Sequence, residues 1–155
     1  IPYAHGEIRN ELIADRLGDH YVLMEMGWDD GARVHGALIH VDGTVEVHGD
    51  AEDAELLVVG WGSTWGAIDG AVNRCRAKGH KVAYVQLVHL NPFPPNLGEV
   101  LARHPRVVVP ELNLGQLSKL LRSEYLVDAR TISKVQGVPF TAGELEAALL
   151  KELGA

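Results

Sequence analysis

The chain has 155 residues, of which 46% are hydrophobic and 23% charged, and its formal net charge is −7. This length and apolar content suffice for one domain, or for one domain with a sizeable appendage. The negative charge argues against nucleic acid as a partner, and no apolar run reaches the ~20 residues of a membrane-spanning helix.

Residues 1–50 lack a convincing helical period and predict an antiparallel β-meander of three or four strands. Residues 20–26 are a β-prone run, residues 33–41 alternate roughly, and residues 44–48 alternate cleanly. The pairs Asp30-Gly31 and Asp42-Gly43 are typical of tight hairpin turns. We predict a first domain over residues 1–50, and the acidic residues 50–55 mark its boundary.

Residues 51–155 alternate strands and helices and predict a second, α/β domain. Apolar runs predict strands over residues 56–59, 81–90, 106–109 and 127–135. Between them lie apolar residues at helical spacing, including a stripe of Leu114, Leu117, Leu120 and Leu121. Thr141 and Glu144 form a capping box before the last helix. This order predicts a mostly parallel sheet with helices on both faces.

The glycine turn after the first strand of this domain is a candidate ligand site. It reads GxGxxxG over residues 60–66, and a helix start offers free N–H groups to an anion or coenzyme. The candidate residues are Gly60, Gly62, Ser63 and Thr64. The alternative, which we favour, is structural: the glycines permit a tight turn, Ser63 or Thr64 caps the helix, and Trp65 packs. The next strand lacks the acidic residue that a dinucleotide site would need.

A second polar segment, residues 111–116, follows the third strand of the domain. Glu111, Asn113 and Gln116 could join the glycine turn in one crevice, since ligands bind outside the carboxyl ends of parallel strands. The alternatives are that Asn113 caps a helix, or that Glu111 pairs with a partner subunit. Trp61 and Phe93 are candidate interface anchors if they face outward.

The sequence predicts neither a metal site nor a catalytic set of residues. Five of the eight histidines fall within the first 50 residues, but their spacing is poor for a metal. The only cysteine, Cys75, falls on an apolar helix face, and we therefore predict that it is a core residue. One cysteine cannot form an internal disulfide, and we therefore expect a cytoplasmic location.

Four segments resemble one enzyme family in their order and spacing. They are residues 57–68 (LVVGWGSTWGAI), 88–94 (VHLNPFP), 109–117 (VPELNLGQL) and 133–140 (SKVQGVPF). Residues 52–148 thereby resemble the C-terminal, transketolase C-terminal-like domain of the α subunit of 2-oxoacid:ferredoxin oxidoreductases, closest to the 2-oxoglutarate enzymes. The resemblance implies thiamine diphosphate, iron–sulfur clusters and coenzyme A in the parent enzyme, none of them bound by this chain alone.

Another three segments resemble a different family. They are residues 2–8 (PYAHGEI), 19–23 (DHYVL) and 27–42 (GWDDGARVHGALIHVD). Residues 2–43 thereby resemble the XisI family, the fdxN-element excision controlling factors, which are small α+β proteins.

Three functions follow from the two resemblances. The first is a non-catalytic assembly domain of the oxidoreductase α subunit, with other oxidoreductase subunits or a second copy as partners. The second is an XisI-like regulatory or binding protein carried on an α/β scaffold. The third is a chimeric or generated chain without an evolved function.

Overall fold

The computed structural model describes residues 21–28, 34–40 and 43–154. It divides the chain into two compact units, Ile1–Val45 and Glu46–Ala155. This division falls five residues before the predicted boundary. The assignment of the units as domains of two families remains a prediction at this point.

The first unit contains an antiparallel pair of strands. Strand β1 covers Tyr21–Trp28 and strand β2 covers Val34–His40. Tyr21 pairs with His40 and Trp28 with Val34, and the register is irregular between Leu23 and Glu25. The antiparallel arrangement agrees with the predicted meander, whereas the Asp30-Gly31 turn lies outside the described residues.

The structure differs from the predicted meander at residues 44–48. Residues 43–47 have no regular structure, and only His48–Gly49 forms a strand, β3. This strand pairs antiparallel with a strand of the second unit. The ring of His48 stacks on that of Tyr84 with centroids 4.9 Å apart. Alternation along the chain predicted a strand but could not reveal its partner.

The second unit is a five-stranded sheet with four helices among the described residues. Its further strands are β4 (Leu56–Trp61), β5 (Val82–Leu87), β6 (Val107–Glu111) and β7 (Ala129–Ser133). Its helices are α1 (Trp65–Ala77), α2 (Leu97–Arg103), α3 (Gln116–Tyr125) and α4 (Ala142–Leu153). The strand order is β3-β5-β4-β6-β7, and every pair except β3 with β5 is parallel. The predicted α/β class, with a mostly parallel sheet, is confirmed.

Helices cover both faces of this sheet because its strands are apolar on both sides. One core joins alternate strand residues such as Leu56 and Val58 to Ile68 of α1 and to Leu145 and Leu149 of α4. The intervening residues Leu57 and Val59 point to the opposite face and are equally buried. On that side lie α2 and α3, which contact each other where Gly98 approaches Tyr125. The predicted helices on both faces are confirmed.

The predicted leucine stripe of α3 is only half correct. Leu117 and Leu121 are fully buried, whereas Leu114 and Leu120 are exposed. Leu114 precedes the helix, which begins at Gln116, so the helical spacing does not apply to it. The capping box of α4 is confirmed, since Thr141 Oγ1 accepts a hydrogen bond from the Glu144 N–H and Glu144 accepts one from the Thr141 N–H.

Candidate functional site

The two polar segments singled out in the sequence follow neighbouring strands of the sheet. The glycine turn follows β4 and residues 111–116 follow β6, and these strands pair in parallel at Leu57–Val107 and Val58–Val108. Strand order reverses between them, because β5 lies on one side of β4 and β6 on the other. Ligands of open α/β sheets bind at such a reversal. The topology therefore places the predicted residues where a ligand site would be expected.

The glycine turn holds itself together through internal hydrogen bonds. Gly62 adopts a positive φ of 59° and begins a 3₁₀ turn that ends at Thr64. The buried hydroxyl of Thr64 donates to the Trp61 carbonyl (2.8 Å) and accepts from the Trp61 N–H (3.3 Å). It does not cap α1, which has no side-chain cap. The prediction that Ser63 or Thr64 caps this helix is therefore wrong. The Ser63 side chain is exposed.

Packing requires a glycine at position 60. A Cβ at this position would lie 2.5 Å from Ile68 Cδ1 and 2.5 Å from Gln86 Oε1. Protein side chains thus already fill the space that a glycine in a phosphate loop would leave for its ligand. The sequence did not reveal the role of Gln86, whose Nε2 donates to the Gly62 carbonyl (3.1 Å) and ties β5 to the turn. A glutamine within an otherwise apolar strand was the only signal.

Glu111 is a fully buried carboxylate at the end of β6, and it caps helix α3. Its Oε2 accepts from the Leu117 N–H (2.8 Å) and its Oε1 from the Ser118 N–H (3.0 Å). A negative charge at a helix start is favoured by the helix dipole and by the free N–H groups there. The buried charge is therefore compensated inside the chain.

Asn113 completes the same cap. Its Oδ1 accepts from the Gly115 N–H (2.9 Å) and the Gln116 N–H (2.8 Å), which confirms the predicted capping role. Together with Glu111 it occupies the N–H groups at the start of α3, so this helix offers an external anion little to bind. Gln116 is exposed beside them.

A lysine after β7 organises the fourth connection at this end of the sheet. Lys134 Nζ lies 2.8 Å from each carboxylate oxygen of Glu144 and donates to the Pro139 carbonyl (2.9 Å). The Lys134 hydrogen bond and those from Thr141 lower the pKa of Glu144 to about 2. This ion pair fixes residues 134–140 against the start of α4.

The predicted interface anchors are not the most exposed aromatic residues. Trp61 is half-buried, and Phe93 is half-buried with its ring 5.7 Å from that of Tyr125. Trp65, which was expected to pack, is 54% exposed. Other exposed apolar side chains at this end of the sheet are Leu112, Leu114, Val135 and Val138.

The residues present do not fit an iron–sulfur cluster. Such a cluster needs several thiolates, whereas Cys75 is the only cysteine, lies fully buried in α1, and has its thiol pKa raised by burial. Within residues 43–154 and the two described strands before them, no three His, Cys, Asp or Glu side chains come together as a metal site. Nor does any helix in the part that the structure describes have the length and apolarity to cross a membrane.

The strand order and the two helical layers define an open α/β domain of the doubly wound class. The chain belongs to the pyruvate:ferredoxin oxidoreductase core domain II family, whose model matches residues 54–145. The XisI protein family model matches residues 1–58. Both predicted resemblances are confirmed, and the two matches overlap at residues 54–58, which include the start of β4.

Similar proteins carry oxidoreductase names. The chain is 54% identical over 114 residues to 2-oxoglutarate oxidoreductase subunit KorA of Mycobacterium tuberculosis, covering 74% of this chain and 17% of that protein. It is 44% identical over 87 residues to the α subunit of 2-oxoacid:ferredoxin oxidoreductase 1 of Aeropyrum pernix, covering 54% of this chain and 14% of the subunit. The chain therefore spans less than a fifth of either relative.

Solved structures of the same kind share the fold. A 2-oxoglutarate:ferredoxin oxidoreductase from Magnetococcus marinus, with 2-oxoglutarate, coenzyme A and succinyl-CoA bound, superposes with a TM-score of 0.67 at 31% identity. The match covers 71% of this chain and 20% of that one. The α chain of a probable 2-oxoacid ferredoxin oxidoreductase from Thermoplasma acidophilum has a TM-score of 0.52 at 22% identity. This match covers 73% of this chain and 99% of that one, and it shows the fold alone.

Proposed function

We propose that residues 54–145 serve as a non-catalytic assembly domain of a 2-oxoacid:ferredoxin oxidoreductase α subunit, with 2-oxoglutarate as the enzyme's substrate. In this proposal thiamine diphosphate, iron–sulfur clusters and coenzyme A belong to other parts of the enzyme. The other oxidoreductase subunits are the partners, and the location is cytoplasmic.

The observation that carries this proposal is the internal use of the candidate ligand groups. Glu111 and Asn113 cap α3, the Thr64 hydroxyl bonds to Trp61, and Gln86 holds the Gly62 carbonyl. A catalytic group must reach substrate, whereas these groups are engaged with backbone atoms. This internal use of the candidate groups supports a scaffold role.

A segment exchange tests the proposal. Residues 54–145 replace the matching segment in the α subunit of the Mycobacterium tuberculosis relative, and the exchanged enzyme is purified with its other subunits. We expect it to assemble and to reduce ferredoxin with 2-oxoglutarate and coenzyme A. The 155-residue chain alone, supplied with the same substrates and thiamine diphosphate, should show no turnover. Turnover by the chain alone, or loss of assembly in the exchanged enzyme, would contradict the proposal.

A second candidate function rests on the match of residues 1–58 to the XisI family and on the separate compact unit at Ile1–Val45. Under this candidate the first unit is a regulatory or binding module and the α/β unit is its scaffold. Pull-down experiments with the whole chain and with residues 46–155 distinguish the two. A partner retained only by the whole chain supports the binding module, and a partner retained equally by both sequences argues against it.

A further inference from the structure

The two ends of the parallel sheet differ sharply in charge. At the carboxyl end, four connections comprise residues 62–64, 88–96, 112–115 and 134–141, which are 24 residues in all. Only one of them, Lys134, is charged, and its side chain is 10% exposed and paired with Glu144. At the amino end, the connections at residues 50–55, 78–81, 104–106 and 126–128 contain eight charged residues among 16.

The carboxyl end, where Lys134 is the single charged residue of the four connections, also carries exposed apolar side chains. The carboxyl-edge patch is defined by Leu112, Leu114, Val135 and Val138, which are between 38% and 75% exposed. These residues follow the neighbouring strands β6 and β7.

Hydrogen bonds hold two of the connections side by side. Ser133 Oγ donates to the Asn113 carbonyl (2.6 Å), and the Lys134 N–H donates to the Glu111 carbonyl (2.9 Å). The segments that carry Leu112, Leu114 and Val135 therefore adjoin. Exposed apolar patches of this kind mark interaction sites.

We propose that the carboxyl-edge patch is an intramolecular docking face, which packs against the remainder of the oxidoreductase α polypeptide. The proposal rests on the proposed function. This chain covers 17% of one relative and 20% of another, so about four-fifths of such an α subunit lies outside the matched domain. A surface of the same polypeptide meets the patch at high effective concentration. A modest interface is then enough to hold the two surfaces together.

The chemistry of the patch defines the surface that it would contact. The cores of protein interfaces are depleted of charged residues, as this edge is, while the amino end has the charge of a solvated surface. An occupant with a strongly charged face would leave its own charges without partners here. The contacted surface is therefore apolar and uncharged.

The segment exchange described above allows a site-specific test. Leu114→p-benzoylphenylalanine is introduced into the exchanged α subunit, which is assembled, irradiated and separated by mass. We expect an internal crosslink to α-subunit residues outside the exchanged segment, with no gain in mass. Leu126→p-benzoylphenylalanine is the matched control, because Leu126 is also exposed but lies at the amino end.

Other occupants give other products. A crosslinked product with the mass of two different subunits assigns the patch to a neighbouring subunit, and one with twice the α mass assigns it to a second copy. Either product overturns the proposal, as does an internal crosslink from position 126 with none from position 114. Failure of the exchanged wild-type segment to assemble would instead overturn the proposed function itself.

A pair of charge substitutions provides an independent measurement. Leu114→Asp with Val138→Asp should leave the melting of the 155-residue chain unchanged, since both side chains are exposed. In the exchanged enzyme the pair should reduce the yield of assembled α subunit by about tenfold or more. Leu126→Asn is the control for this pair, because asparagine tolerates the positive φ of 55° at position 126. The Leu126→Asn variant should assemble as the wild type does. Normal assembly of the paired variant would overturn the proposal.

Discussion

Gly60 and Gly66 bound the same glycine-rich turn, but their surroundings differ. A methyl group at Gly60 would collide with Ile68 and Gln86, whereas one at Gly66 would meet nothing within 4 Å. We expect Gly60→Ala to lower the free energy of unfolding by about 1–3 kcal/mol through overpacking. Gly66→Ala, in the first turn of α1, should raise it by up to about 1 kcal/mol through helix propensity. Urea denaturation of the two variants measures both effects, and an equal response would refute the packing role of Gly60.

Glu111 accepts hydrogen bonds from two backbone N–H groups at the start of α3. Glu111→Gln keeps the shape but replaces one acceptor oxygen with a donor that faces an N–H. We expect a loss of about 1–3 kcal/mol in the free energy of unfolding, since a buried donor is left unsatisfied. Glu99→Gln is the control, because Glu99 forms an exposed pair with Arg103 and should change stability by about 0.5 kcal/mol or less. A neutral Glu111→Gln would show that the carboxylate is not needed for the cap.

At the level of elements, local patterns predicted most of the α/β unit. The apolar run at Leu56–Val59 became β4, and the Thr141–Glu144 capping box starts α4, because both signals depend on residues close in sequence. Strand pairing depends on distant residues instead. Residues 44–48 alternate as a strand should, yet only His48–Gly49 pairs, and it pairs with β5 across more than 30 residues of chain.

The sequence raised a shared crevice only as one alternative. The βα pattern predicts parallel strands but not their order, and it is the structure that has Glu111 and the glycine turn on the neighbouring strands β6 and β4. Whether a carboxylate faces a ligand or a helix start depends on where that helix begins. Asn113 showed a local capping pattern. Glu111 instead accepts a hydrogen bond from the N–H of Leu117, which lies six residues further along the chain. No local signal in the sequence distinguishes the two uses of Glu111.

The start of α4 should respond to acid through Glu144. The pKa of this carboxyl is lowered from 4.5 to about 2, because Lys134 and Thr141 donate hydrogen bonds to it. A lowered folded-state pKa stabilises the fold fully above pH 4.5, and the contribution is lost as pH falls towards 2. We expect Glu144→Gln to melt below the wild type at pH 7 and the gap to narrow between pH 4.5 and 2. Glu124→Gln, on the exposed side of α3, is the control, and a gap that is constant with pH would contradict the ion-pair account.

At the scale of the whole molecule, the charge pattern and the capping pattern lead to the same interpretation. The connections at the amino end of the sheet carry eight charged residues, whereas those at the carboxyl end carry one, Lys134. Glu111 and Thr64 at the carboxyl end are bonded within the chain, while the buried atoms Gln86 Oε1 and His89 Nδ1 have no hydrogen-bond partner there. The scarcity of charge and the exposed Leu114 and Val135 suit this end to contact with protein.

The boundary between the two units can be tested by truncation, because its position decides whether β3 belongs to the α/β fold. Residues 46–155 retain β3 and Asp50, whose carboxylate accepts from Arg76 (2.9 Å) and from the Val82 N–H (3.2 Å). Residues 52–155 lose both and also the His48–Tyr84 stack, which leaves β5 at the edge of the sheet. We expect residues 46–155 to unfold cooperatively, and residues 52–155 to be less stable by about 1–3 kcal/mol, from the lost hydrogen bonds and ring contact. Urea denaturation followed by tryptophan fluorescence measures both fragments, since Trp61 and Trp65 are present in each. Equal stability of the two fragments would place the boundary after β3, and an unfolded 46–155 fragment would show that the α/β unit depends on residues 1–45.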